Sequence, residues 1–318
     1  MPNNINITNL NNLLPFIDYF ERKGIEWKSV AQRYRFPDDM SQSGSWIPSH
    51  QAMGFINTMM QNTNQRVGLE VGRLITLEQI SPNLHLEISK CQRLEQAVQR
   101  LIELMPTLNN HVVIWPEKID GKWFLCHRGA YHPSALGYDQ TEWFRAFALL
   151  SLCRIYCGKD WQPASVFMSI SSHLASNLPA SFRATSFTFS YPFGALEIPL
   201  PDNFTPVELQ ARQSHWLQTL DALIHTYAVL PWFNVEWLAL LIGSSPRTLQ
   251  RHFTELGLTF RRLRDEARCT RAKTLLREGV SPFETAWLCG YNDLSNFNRA
   301  FKGWLKQTPS QYQRLCAK

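Results

Sequence analysis

Arg247, Gln250 and Arg251 stand at helical spacing, and 48 residues further on Ser295, Asn298, Arg299 and Lys302 repeat that spacing. Arginine carries a planar fork of donors that matches the guanine edge in the major groove, and glutamine can bond adenine in the same two-pronged way. Lysine and asparagine beside them suit phosphate oxygens, which position a protein on DNA without reading sequence. Such a set works only on a rigid helix that keeps these groups wet on one face and is anchored by the other.

The flanking residues supply that helix. In Asn234–Phe253, Glu236–Ile242 reads as a short apolar helix. Gly243 can take the positive φ of a tight turn. Ser245 is a good N-cap and Pro246 suits the first helical position, where a missing N–H costs little. Leu249 and Phe253, four apart, face inward and leave Arg247, Gln250 and Arg251 outward. The second unit repeats the scheme. Pro282–Cys289 is the supporting helix, Gly290 the turn, Asn292 or Asp293 the cap, and Phe297 and Phe301 the inward pair. Leu294, Ser295, Asn298, Arg299 and Lys302 remain outward. Short helices around a glycine also form plain core hairpins. Two units in register, with Arg251 and Arg299 at matching places, favour a duplicated helix-turn-helix instead.

Charge points to the same third of the chain. Of 318 residues, those from Gln213 onward include 14 basic and 8 acidic, which accounts for the whole formal charge of +6. Residues 1–212 hold 18 of each. With 44% hydrophobic and 18% charged residues the chain has material for packed cores, which excludes a disordered basic tail. One neutral domain joined to one that meets a polyanion fits this split. No stretch is apolar for the length of a membrane span, and the start MPNNINITNLNNLLPF lacks the basic residues and apolar run of a signal peptide. Seven scattered cysteines do not form a disulfide framework, so a cytoplasmic location is expected.

Along the neutral region, Leu13–Phe20, Ile47–Met60, Leu94–Met105 and Glu142–Tyr156 read as helices. His111–Trp115 and Lys122–Arg128 read as a hairpin around Asp120-Gly121, and Ala164–Ile170, Ser186–Phe189 and Ala195–Ile198 as strands. The expectation is an α+β N-terminal domain, 1–206, ending at the proline-rich Pro199–Pro206. An all-α domain, 207–318, follows: an amphipathic stretch Val207–Leu230, then two helix-turn-helix units joined by a long helix, Phe260–Arg277. The basic residues of that helix, Arg268 among them, read as a solvated face.

Leu238-Ala239, Gly243, Ser245, Leu249-Gln250-Arg251-x-Phe253 and Gly257-Leu258-Thr259-Phe260 in the first unit match a family signature. So do Ala286, Gly290-Tyr291, Ser295, Phe297-x-Arg299-x-Phe301-Lys302 and Thr308-Pro309-x-x-Tyr312 in the second. On these residues the last hundred positions resemble the DNA-binding domain of AraC/XylS-type transcription regulators. The resemblance implies two recognition helices in successive major grooves of promoter DNA. It carries base reading to Arg247, Gln250 and Arg251 in one helix and to Leu294, Ser295 and Arg299 in the other. It implies phosphate contacts at Ser245, Asp293, Asn298 and Lys302. Three departures stand out. Lys306-Gln307 replaces a glycine-containing turn, Ala286-Trp287 replaces a small apolar pair and implies tighter packing, and Leu294 can touch only a thymine methyl.

Val67-Gly68-Leu69-Glu70-Val71-Gly72, the helix Leu94–Leu104 and Trp161-Gln162-Pro163 resemble the arabinose-binding-like N-terminal domain of a subgroup of that family. Such domains bind a small molecule, pair subunits as a homodimer, or both, and activators that contact RNA polymerase predominate. No ligand residue is assigned, but Trp27, Trp46, Trp115, Trp123, Trp143 and Trp161 could line an apolar pocket. No catalytic motif, cofactor motif or metal-ligand spacing is present, so no enzyme, cofactor or metal is expected. Cys153 and Cys157 read as buried structural thiols and His252 as a packing residue. Two other classes stay open: an enzyme with a reactive Cys fused to a DNA-binding domain, and a helical module that docks on a protein.

Overall fold

The computed structural model describes residues 5–37, 44–175, 178, 182–206 and 216–316. These form two units, one from 6–37 and 47–206, the other from 216–316 with Ile5 and Gly44–Trp46. The expected boundary between 206 and 207 opens a stretch, 207–215, that lies outside the described residues.

The N-terminal unit begins with β1 (Ile7–Asn9), α1 (Leu14–Arg22), α2 (Lys28–Arg33), β2 (Trp46–Pro48) and α3 (Ser49–Thr63). Ile47 and Pro48 are strand, not helix: Pro48 lacks the N–H that a helix interior needs and serves as the extended residue before α3. Four helices follow: α4 (Val67–Leu74), α5 (Leu77–Ile80), α6 (Pro82–Ser89) and α7 (Leu94–Leu104). Then come β3 (Val113–Ile119), β4 (Lys122–Arg128), α8 (Tyr138–Cys157), β5 (Ser165–Phe167), β6 (Ser186–Thr188) and β7 (Gly194–Glu197). Asp120 and Gly121 both take positive φ, 49° and 78°, the geometry of a two-residue hairpin turn. The sheet order is β3-β4-β7-β5-β6, antiparallel except for the β5–β6 edge.

Alternation along β4 divides two cores. Leu125 joins the large cluster around α8, whereas Phe124 and Cys126 pack on the other face with Ala195, Trp115, Phe167 and Phe193. Helix α8 is buried around most of its girth, which makes it the axis of the unit. Its closest neighbour is α4. An added Cβ on Gly68 would stand 2.0 Å from the carbonyl oxygen of Gln140, and one on Gly72 would stand 2.8 Å from the Phe147 ring. The Gly68 N–H donates to Gln140 Oε1 at 2.9 Å, a further tie between the two helices.

The second unit is helical: α9 (Trp216–Tyr227), α10 (Val235–Leu241), α11 (Pro246–Glu255), α12 (Phe260–Arg277), α13 (Pro282–Leu288), α14 (Leu294–Leu305) and α15 (Pro309–Cys316). Each short helix has a sequence-encoded start: the side chains of Asn234, Ser245, Ser281 and Asp293 accept from the N–H three residues on. Among the described residues no helix is long and apolar enough to cross a membrane.

Candidate nucleic-acid interface and an N-terminal cavity

Two helix-turn-helix units share α12. In the first, α10 packs on α11 through Leu238, Ala239, Leu249 and Phe253, each at most 1% exposed. Burying a side chain of this size stabilises by about 1.5–3 kcal/mol, enough to hold the pair at a fixed angle. Gly243 turns the chain between them at φ 66°. Ser245 Oγ accepts from the Thr248 N–H at 3.1 Å, which fixes where α11 starts. Arg247, Gln250 and Arg251 are exposed on the face opposite Leu249 and Phe253. Arg251 has a loose, exposed ion pair with Glu255 at 3.6 Å, weak enough to exchange for another acceptor.

In the second unit Phe297 and Phe301, both fully buried, meet Ala272, Leu275, Leu276, Ala286, Cys289 and Tyr312. Asp293, not Asn292, is the cap; its Oδ1 accepts from the Asn296 N–H at 2.7 Å. Ser295, Arg299 and Lys302 are exposed, and Asn298 is half-buried. Leu294 also packs against the core, so only part of it faces outward. Ser245 and Asp293 themselves are exposed at the starts of α11 and α14, where the N–H dipoles of each helix point.

The three departures have physical accounts. Lys306 closes α14 in the left-handed region, φ 60°, where a side chain is strained and glycine is not. Trp287 does not tighten the packing: it is 52% exposed and rests edge-on against the exposed Phe283. Thr285, Ala286 and Cys289 take the core side of α13, which turns Trp287 away. Leu294 is explained by its packing.

Arg268 corrects the expectation of a solvated α12 face. It is 5% exposed, donating from Nε to the Ala228 carbonyl at 2.7 Å and from Nη2 to the Leu230 carbonyl at 3.1 Å. Burial lowers its pKa from the usual value. Gly290 packs on the same loop: an added Cβ would stand 2.5 Å from the Val229 carbonyl oxygen. Turn and arginine together tie the second unit to the loop ahead of the first. Arg268 could have been singled out as the arginine at i+1 from Ala267 and i+4 before Ala272, both buried, on an otherwise charged helix.

The N-terminal unit holds a cavity of about 140 Å³ that is partly open to solvent. Leu77, Ile80, Leu84, Leu101 and Met105 make its apolar wall, and α8 contributes Tyr138, Thr141, Arg145, Leu149 and Leu152. None of the six tryptophans expected there lines it. Trp143 lies on another side of α8, at a void of about 20 Å³. The cavity faces the stripe of α8 at i, i+3 and i+4 spacing from Tyr138, which carries no tryptophan. His111, Tyr131, Asn109 and Arg145 also line it, with the Tyr131 ring 5.6 Å from that of His111. Burial and the Arg145 charge lower the His111 pKa to about 3 and hold His127, behind Arg145, well below the ordinary imidazole value.

Among the described residues no group of three His, Cys, Asp or Glu is placed to hold a metal ion. Burial raises the thiol pKa of Cys153 and Cys157, and of Cys126 and Cys289 to about 12, which disfavours thiolate. The His252 ring packs 5.1 Å from that of Trp216.

Comparison with known proteins adds two domain matches. A model described as the arabinose-binding domain of AraC transcription regulators, N-terminal, matches residues 24–202, and a helix-turn-helix model matches 238–315. An ornithine utilization regulator of Pseudomonas aeruginosa is 38% identical over 81 residues, 25% of this chain and 24% of its own. The transcriptional activator RhrA of Rhizobium meliloti is 38% identical over 88 residues, 27% of this chain and 28% of its own. The chain thus spans about a quarter of the length of these curated relatives. Of solved structures, the transcriptional regulator CdpR of P. aeruginosa is 16% identical with TM-score 0.42, covering 94% of this chain and 96% of that one. The C-terminal domain of the response regulator AraT of Geobacillus stearothermophilus is 28% identical with TM-score 0.31, covering 33% and 88%.

Proposed function

The chain belongs to the AraC family of transcription regulators with an arabinose-binding-type N-terminal domain, and we propose that it is a sequence-specific regulator of promoter DNA whose two recognition helices enter successive major grooves. The observation that carries this is the shared register of α11 and α14. Ser245, Leu249, Arg251 and Phe253 recur as Asp293, Phe297, Arg299 and Phe301, with the arginines exposed and the apolar residues buried in both. In this reading Arg247, Gln250 and Arg251 read bases from the first helix, and Leu294, Ser295 and Arg299 from the second. The amides at Ser245 and Asp293, with Asn298 and Lys302, hold phosphates. Residues 207–318 carry DNA binding and 1–206 carry regulation. No chemical step is assigned to either domain.

The N-terminal cavity supports a small-molecule effector. An effector alters transcription only by binding one state of the protein better than another. Pairing of two copies, contact with RNA polymerase, an activating sense like that named for RhrA, and a cytoplasmic location complete the reading. The test is selection of binding sites from random duplex DNA, followed by footprinting. Two protected major-groove tracts on one face, about 10 base pairs between centres, are expected. Equal affinity for all duplexes, or one protected tract, overturns it.

A further inference from the structure

We infer that the N-terminal cavity binds an apolar organic acid, with its carboxylate on Arg145 and its hydrocarbon body along α8. This rests on the reading of that domain as an effector domain and names the effector's chemical class. The lining argues against a sugar, which needs donors and acceptors around its whole ring. Here the wall is Leu77, Ile80, Leu84, Leu101 and Met105, the surface it offers is mostly carbon, and Arg145 is the one lysine, arginine or carboxylate among the described residues that line it.

Arg145 is the cation of that lining. Among the described residues it forms no ion pair; its hydrogen-bond contact is 3.4 Å from Nη1 to Nδ1 of His127, a ring with no charge of its own to offer. The carboxylate of Glu142, one turn back on α8, feels the Arg145 charge but accepts its hydrogen bonds from Ser169, so the half-buried guanidinium keeps donors for a fork-shaped acceptor. His111 lies beside it with Nε2 engaged by Ser49 Oγ at 2.7 Å, while its buried Nδ1 has no partner. A carboxylate that accepts from Arg145 reaches the same corner. From Arg145 the cavity stripe of α8 continues to Ala148, Leu149 and Leu152. At 1.5 Å per residue that is about 10 Å of apolar floor beyond the charge, suited to a chain of the length of octanoate.

The test is calorimetric titration of the full chain with sodium octanoate, octan-1-ol, sodium acetate and L-arabinose. Octanoate should bind saturably at one site, octan-1-ol about tenfold or more weaker, acetate and arabinose not measurably. Arg145→Gln should bring octanoate down to the level of octan-1-ol and leave octan-1-ol unchanged. Ala148→Leu should weaken both by filling the floor. Equal binding of octanoate and octan-1-ol by the unaltered chain, absence of saturable octanoate binding, binding of arabinose in its place, or a preference retained in Arg145→Gln overturns the assignment. If Arg145→Gln does not fold, the comparison on the unaltered chain still decides. DNA binding measured on the same protein without probe keeps the two readings apart. Its loss sinks the regulator reading alone, and failure of octanoate with DNA binding intact sinks this one alone.

Discussion

The Arg268 guanidinium lies 5.0 Å from the centroid of the Tyr291 ring while its donors reach the Ala228 and Leu230 carbonyls. One side chain of the connecting helix thus touches the turn of the second helix-turn-helix and the loop before the first. Two separately packed units become one reader only if such ties hold their recognition helices in fixed relation.

Replacing that arginine by Arg268→Met leaves both carbonyls without donors in a buried site. The expected loss of stability is about 2–4 kcal/mol, read by urea denaturation of the full chain. Arg268→Lys, which keeps the charge but cannot span both carbonyls, should fall between. A change under about 0.5 kcal/mol for Arg268→Met, the usual range for a surface substitution, would contradict the tie.

Lys306 holds φ 60° at the end of α14 with its side chain exposed. Lys306→Gly should therefore stabilise the protein by about 1 kcal/mol, whereas Lys306→Ala should not. A shift in the denaturation midpoint of the Gly variant with an unchanged slope is the expected result.

Acid should weaken the N-terminal unit. His127 is 1% exposed and His111 is held to a pKa of about 3, so both stay neutral in the fold at pH values where the unfolded histidines are protonated. The unfolded state then binds more protons, and stability declines as pH falls below about 6.5 and onward toward 3. Glu142 acts in the opposite sense. Burial raises its pKa, so its contribution is present below the ordinary carboxylate value and is lost as pH rises through the raised one. Hydrogen bonds from Ser169 restrain that shift, and burial lowers the pKa of His50 as well, in the same sense as His111 and His127. The melting temperature should be lower at pH 5 than at pH 7.5, and His127→Gln should narrow the difference. An equal or higher melting temperature at pH 5 would contradict the assignment.

The recognition helices were legible in the sequence because local rules all agree there: Ser245 caps, Gly243 turns, and Leu249 and Phe253 mark the inner face. Arg268 was not, because a charged residue on a charged helix looks solvated until the loop that accepts its donors is in place. The cavity was hidden for a related reason. Its wall comes from α5, α6 and α7 and its charge from α8, elements brought together only by the fold. Tryptophan content pointed elsewhere, since Trp143 and Arg145 sit two apart on α8 and therefore face different sides. The short helix α4 escaped because Gly68 and Gly72 weaken helical periodicity, and their role is close approach to α8, while α5, Leu77–Ile80, is too short to show a period.

The most direct measurement is fluorescence anisotropy of the full chain on its selected duplex and on duplexes altered at single base pairs, over a range of salt. Arg251→Ala and Arg299→Ala should each weaken binding to the selected duplex by about 1–3 kcal/mol and erase discrimination at one position in separate tracts. Lys302→Ala should weaken all duplexes alike and reduce the salt slope by about 1. Uniform losses on every sequence for both arginine variants would contradict base reading by α11 and α14.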